Sequence, residues 1–191
     1  MADGASHSVG HATRIVLGVD PGTLVTGFGI VSCTQDALEL LDAGTIRNRS
    51  GQSMPIRLRR IYEGLQGLID LHHPDEFAIE SAFYGKNAQS ALKLGQARGV
   101  SILAAVEKEI PTTEYSPREV KQAVVGKGTA TKEQVQFMVR TLLHLKKGTM
   151  MLDTSDAIAV AICHLHRGTA PSLRHKDWSS FIAAHPERVR S

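Results

Sequence analysis

The stretch RIVLGVDPGTLVTGFGIVSC, residues 14–33, decides the fold. Its first half is an apolar run, Ile15-Val16-Leu17-Gly18-Val19, that ends on an acid, Asp20. Such a run reads as a central, buried β-strand. Pro21-Gly22 suits the middle of a type II turn, and residues 27–33 make a second strand. Residues 38–46 make a third, close enough in sequence for an antiparallel meander. Further along, residues 76–81 repeat the first pattern, with Phe77-Ala78-Ile79 closing on Glu80.

Outward from these strands the spacing turns helical. Ile56, Leu58, Ile61, Leu65, Leu68 and Ile69 predict a helix over 55–71, stopped by His73-Pro74. Residues 87–109 read as a long helix and 113–116 as a short strand. Pro117 opens a helix over 118–125. Gly126-Lys127-Gly128 breaks the chain before a helix over 131–143, capped by Thr131 or Thr129. Asp153 is placed to cap a last helix that runs to about His166 and ends at Gly168. The predicted class is therefore α/β: a mixed five-stranded sheet flanked by helices, in one domain over residues 14–168. Residues 1–13 read as a flexible extension. Residues 169–191 form a polar tail in which Trp178, Phe181 and Ile182 share a helical face suited to docking.

With 191 residues, of which 42% are hydrophobic, the chain can bury a full core, and nothing in its composition suggests disorder. A net charge of +3 and a pI of about 9.0 allow attraction to phosphate. Cys33 and Cys163 sit in apolar patterns without metal-ligand spacing and read as reduced core thiols. The opening residues lack a secretory signal pattern, and no run approaches the ~18 apolar residues of a membrane helix. A soluble, cytoplasmic protein with no membrane attachment is the expectation.

Two acids at the ends of apolar strands call for an explanation. A lone buried carboxylate is costly, and several together repel unless cations offset them. Asp153 and Asp156 add two more, one helical turn apart. Taken alone, that pair also fits the ordinary enrichment of acids in a first helical turn. Together, the strand-end Asp and Glu and the helix-start Asp-x-x-Asp are what convergent oxygen ligands for magnesium require. Two such ions roughly 4 Å apart can activate water and stabilise the leaving oxygen in displacement at phosphorus. Zinc is disfavoured, because no Cys or His spacing supports it.

Four strings in order, GVDPGTLVTGFGIV, AIESAFYGKNAQSALKLGQARG, YSPREVKQAVVGKGTATKEQV and DTSDAIAVAICH, resemble the bacterial RuvC family of Holliday-junction resolvases. The resemblance spans about residues 14–167. It implies the RNase H-like fold of the retroviral-integrase superfamily and a homodimer that nicks two strands of like polarity symmetrically across a four-way DNA junction. It also implies a 5′-phosphate and 3′-hydroxyl product, in recombination and DNA repair. The family's metal-holding acids match Asp20, Glu80, Asp153 and Asp156. Two Mg²⁺ per active site are implied, with Mn²⁺ able to substitute, as are the branch-migration proteins RuvA and RuvB as partners.

After Glu80, Phe83 and Tyr84 fit either the core or a base splayed from the duplex. The resemblance gives Phe83 the wedge role and sets Tyr84 and Lys86 beside the crossover. Lys121, Lys127 and Lys132, with Arg118, gather around the glycine-flanked break and can supply point charges for phosphate. The family pattern makes Lys121 and Lys132 the important basic residues, with Lys132 near enough to orient water or offset developing charge. A second group, Arg47, Arg49, Arg57, Arg59 and Arg60, reads as solvated surface. Ala91, Gly95 and Gly99 recur every four residues on one helical face, which suits either packing on the sheet or a dimer interface. His72, His73, His144, His164 and His166 have no ligand partners in the pattern and read as turn or surface residues.

Three other readings share features of the chain. Asp-Pro-Gly-Thr also resembles the phosphate hairpin of actin-like ATPases and sugar kinases, but no second such hairpin follows. A non-cutting junction-binding module would not need four acids. A related RNase H-like enzyme that processes ribosomal RNA precursors fits less well with the Phe83 segment and the Lys121–Lys132 region.

Overall fold

A computed structural model of the chain describes residues 13–81, 88–145 and 152–167, with only the backbone of Leu152 and Asp153. Five strands and five helices follow in the order β1 (Arg14–Asp20), β2 (Val25–Thr34), β3 (Ala37–Arg47), α1 (Met54–His72), β4 (Glu76–Glu80), α2 (Ala88–Val106), β5 (Thr112–Tyr115), α3 (Pro117–Val125), α4 (Lys132–Leu142) and α5 (Leu152–Arg167). The sheet order is β3-β2-β1-β4-β5. β1–β2–β3 is the antiparallel meander, and β4 and β5 join β1 in parallel.

Side-chain alternation splits the core into two layers. Leu17, Val19, Phe77 and Ile79 point to one face and pack with α1 and α2 residues such as Ile61, Leu65 and Ala104. Val16, Ala78 and Tyr115 point to the other and pack with α3, α4 and α5. By the same alternation, Asp20 and Glu80 emerge on the α5 face.

α5 lies unusually close to the sheet. A β-carbon on Gly18 would sit 2.3 Å from the Ala157 carbonyl oxygen, and one on Gly29 would sit 2.9 Å from Ile158 Cα. Only glycines let the helix backbone approach this far. The helix is enclosed on almost every side, with residues 157–163 all buried.

Several local expectations need correction. Gly22 lacks the positive φ that a type II turn demands; among the described glycines only Gly126 has it. Gly22 serves close approach instead: a β-carbon there would meet the Val25 carbonyl oxygen at 2.2 Å. The Thr26 hydroxyl donates to the Gly22 carbonyl at 2.7 Å, bracing the chain just after Asp20. α5 already includes Leu152, so Asp153 lies in its first turn, not at its cap. Thr131, not Thr129, caps α4 through a capping box with Gln134.

His164 is buried, contrary to a turn or surface role. Its Nδ1 lies 2.9 Å from the Tyr115 hydroxyl. Its Nε2 lies 3.3 Å from Glu76 Oε2, near enough for charge but misaligned for a hydrogen bond. Because α5 is enclosed, helical facing alone does not tell its surface positions from its core. His72 pairs with Asp42, and His73 adopts the left-handed conformation that ends α1. Cys33 and Cys163 are free thiols, Cys163 buried.

Candidate active site

The parallel register pairs Val19 with Ile79, so Asp20 and Glu80 end adjacent strands side by side. α5 crosses above them because Gly18 and Gly29 seat it there, and this brings Asp156 over the strand ends. α3 and α4 close the remaining sides. The result is a cavity of about 200 Å³ whose polar lining is Asp20, Glu80, Asp156, Lys121 and Lys132. Its apolar wall is Pro117, Val120, Val135 and Ala159.

Lys132 is the first residue of α4, and its Nζ donates to Asp156 Oδ2 at 2.8 Å. That bond raises the lysine's pKa above its ordinary value, with Asp20 and Glu80 adding to the effect against partial desolvation. The ammonium is therefore firmly charged.

Glu80 is a strongly perturbed acid in this cavity. Burial first, then the charges of Asp20 and Asp156, push its carboxyl up to about 7, while Lys132 and Lys121 act in the opposite direction. Two lysines do not balance the carboxylates gathered here. Such a donor set, all carboxylate oxygens and short of positive charge, fits hard divalent cations. Among the described residues no three acids or histidines close into a ready-made cage.

Of the sequence-derived candidates, the fold brings Asp20, Glu80, Asp156, Lys121 and Lys132 together. Lys127 is exposed on the α3–α4 loop and does not line the cavity. Asp153 lies in the first turn of α5, and its side chain is outside the described residues, as are Phe83, Tyr84, Lys86 and the Trp178 cluster. In the second basic group, Arg57 donates to the Gln52 carbonyl at 2.9 Å and Arg59 pairs with Glu63 at 2.6 Å. These two serve local structure.

Sequence reasoning missed the device that holds α3. Ser116 and Glu119 form a capping box, and Arg167 of α5 donates to the same carboxylate at 2.7 Å. Ser-Pro-Arg-Glu carried the signal, since Ser-x-x-Glu before a helix is the box signature.

A mixed sheet of order 3-2-1-4-5 with acids at the ends of its two central parallel strands, crossed by an acid-bearing helix, defines the RNase H-like class. A family model described as crossover junction endodeoxyribonuclease RuvC matches residues 16–164. The chain is 43% identical over 176 residues to the crossover junction endodeoxyribonuclease RuvC of Salinibacter ruber, covering 92% of this chain and 98% of that one. It is 53% identical over 152 residues to that of Saccharophagus degradans, covering 80% and 87%. The structure of Thermus thermophilus RuvC in complex with Holliday junction substrate superposes with a TM-score of 0.77 at 31% identity, over 81% of this chain and 94% of that one. The chain belongs to the RuvC family of crossover junction endodeoxyribonucleases.

Proposed function

We propose that the chain is a Holliday junction resolvase: a metal-dependent endodeoxyribonuclease that nicks two like-polarity strands symmetrically at a four-way junction in recombination and repair. Family membership names the activity. The observation that carries it to this chain is the meeting of Asp20, Glu80, Asp156, Lys121 and Lys132 in one cavity.

Asp20, Glu80 and Asp156, joined by Asp153, would hold magnesium, two ions per site, with Mn²⁺ able to replace it. Bound there, the ions would activate water and stabilise the leaving oxygen, which gives 5′-phosphate and 3′-hydroxyl ends. Burial holds the Glu80 carboxyl at about 7, so as a ligand it would have to give up a proton that it partly retains near neutral pH. Lys132 stays protonated under Asp156 and so serves as a fixed cation toward the scissile phosphate, not as a base. Lys121, from α3, lines the same cavity and supplies a second point charge. Val120, Val135, Pro117 and Ala159 limit water around these groups, which strengthens each charge interaction. Lys127, on its loop, suits contact with DNA outside the cavity, and Phe83, Tyr84 and Lys86 fit the crossover strand.

A homodimer is the assembly that the exposed face of α2 supports. Gly95 and Gly99 are exposed, and among the described residues no other part of the chain comes within 4 Å of where a β-carbon would lie, so packing on the described sheet and helices does not explain them. Leu92, Leu103 and Val106 are 65%, 48% and 55% exposed on the same face of the helix, an apolar stripe that a second copy would cover. Paired sites would make paired nicks. RuvA and RuvB are the partners this function suits, in the cytoplasm; no helix among the described residues is long and apolar enough to cross a membrane.

Incubation with a labelled mobile four-way junction and Mg²⁺, beside linear duplex and RNA, tests the reading. Paired symmetric nicks on the junction alone are the expected result. Cleavage of linear duplex at the same rate would sink it.

A further inference from the structure

One carboxylate, Glu119, holds two helices. Its Oε2 accepts from the Ser116 hydroxyl at 2.8 Å and the Ser116 backbone N–H at 2.9 Å. Glu119 N–H donates back to Ser116 Oγ at 3.3 Å. Its other oxygen, Oε1, accepts from Arg167 Nη1 at 2.7 Å, at the far end of α5. The Arg167 guanidinium also lies 5.8 Å from the centre of the Tyr115 ring, and Cys163 Sγ reaches the Glu119 carbonyl at 3.8 Å.

An ordinary cap needs only Ser116 and Glu119. The Arg167 link is extra, and a pair this exposed adds little to stability. Its consequence is positional. Pro117, Val120 and Lys121 turn toward the cavity, while Glu119, on the other side of the same turn, is tied to α5. α5 also carries Asp156, so the tether sets Lys121 and Asp156 against one frame. Both Ser116 bonds and Arg167 hold the Glu119 carboxyl down at about 2, so the tether stays charged at any working pH.

We infer that Glu119 is a positioning residue for cleavage, fixing the first turn of α3 against α5 through Arg167 and thereby the place of Lys121 in the cavity. This rests on the resolvase reading. Lys121 is the group that acts; Glu119 does not line the cavity.

The test is a double-mutant cycle in the full chain, read by single-turnover cleavage of a labelled junction at saturating Mg²⁺. Glu119→Ala and Arg167→Ala are each expected to slow cleavage about tenfold while junction affinity stays within about twofold. Glu119→Gln, which still accepts from Ser116, is expected to restore part of that loss. Added to Lys121→Ala, Glu119→Ala should cost nothing further, because the group it positions is gone. Losses that multiply, or rate and affinity falling together, would overturn the assignment. Amide exchange at Val120 and Lys121 gives a reading independent of activity. It should quicken in Glu119→Ala with α5 unchanged, and unaltered exchange in α3 overturns the tether even if the wild-type protein resolves junctions. Failure of the wild-type protein to nick a junction would count against the resolvase reading instead.

Discussion

Gly18 and Gly29 stand opposite one another in the β1–β2 register, and the backbone of α5 rests on the pair. The atoms that a β-carbon would strike at Gly18 are Ala157's carbonyl oxygen and Ala161's amide nitrogen, neither of which a rotamer change can move. This seat joins two otherwise separate parts of the site. Asp20 belongs to the strand beneath it and Asp156 to the helix above.

Gly18→Ala should therefore lift α5 and part the acids. Overpacking of this kind costs about 1–3 kcal/mol, here at the upper end because backbone must move. Denaturant unfolding should show that loss. Cleavage at a temperature where the variant is fully folded should fall further than the folded fraction accounts for. Wild-type cleavage by a folded variant would mean that the seat does not govern the acids.

Lys132→Ala should slow cleavage far more than it weakens junction binding. The lysine, though 63% exposed, directs its charge onto Asp156 in the cavity lining, where it bears on the reaction more than on overall attraction to DNA. Losing one preorganised charge at the reacting phosphate typically costs about 10²–10³ in rate. Single-turnover kinetics beside gel-shift titration measure the split, and equal losses in both would remove the assignment. Asp156→Asn offers the companion case: it should bind the junction without cutting it.

Glu80 makes stability depend on pH in an unusual direction. Its folded pKa of about 7 lies above the ordinary 4.5, so between these values the folded protein holds a proton that the unfolded chain has lost. The contribution is complete below about pH 4.5 and disappears as pH rises through 7, with an upper size of about 3 kcal/mol. His164 acts oppositely. Burial lowers its pKa below 6.5, so its neutral form is favoured and stability falls as pH drops below 6.5. Chemical denaturation of metal-free Glu80→Gln and wild type across pH 5–8 should separate them: the variant loses the decline toward pH 7, and Mg²⁺ should remove it from the wild type. An identical pH profile for both would refute the burial argument.

The fold was legible where strands are buried on both faces. Ile15 to Asp20 and Phe77 to Glu80 are short apolar runs between turn residues, and their periodicity leaves little choice. The acids were legible for the same reason, as charge placed against an apolar pattern. Gly18 and Gly29 were not. Inside a strand a glycine marks close approach, but the partner is α5, more than 120 residues away in sequence and unseen by local pattern. His164 failed likewise, since a helix enclosed on almost every side has no clear amphipathic stripe to sort its residues. Gly22 was misread because Pro-Gly fits a turn by composition, whereas here the missing β-carbon matters and the positive φ is not used.

Gly95 and Gly99 allow the proposed dimer to be tested against simple helix energetics. With nothing within 4 Å of a β-carbon at either position among the described residues, alanine meets no clash with them. In an isolated helix each substitution should then stabilise by about 1 kcal/mol. If a second copy packs against the stripe formed with Leu92, Leu103 and Val106, the added methyls instead hold the two helices apart. The double variant Gly95→Ala/Gly99→Ala is expected to dissociate at concentrations where the wild type is dimeric, as seen by sedimentation. Its two nicks on a junction should lose their coupling, so that singly nicked product accumulates, while α2 itself becomes no less stable by amide exchange in the monomer. A variant that is more stable and no less dimeric would place the interface elsewhere, and leave the α2 stripe as a surface for another occupant.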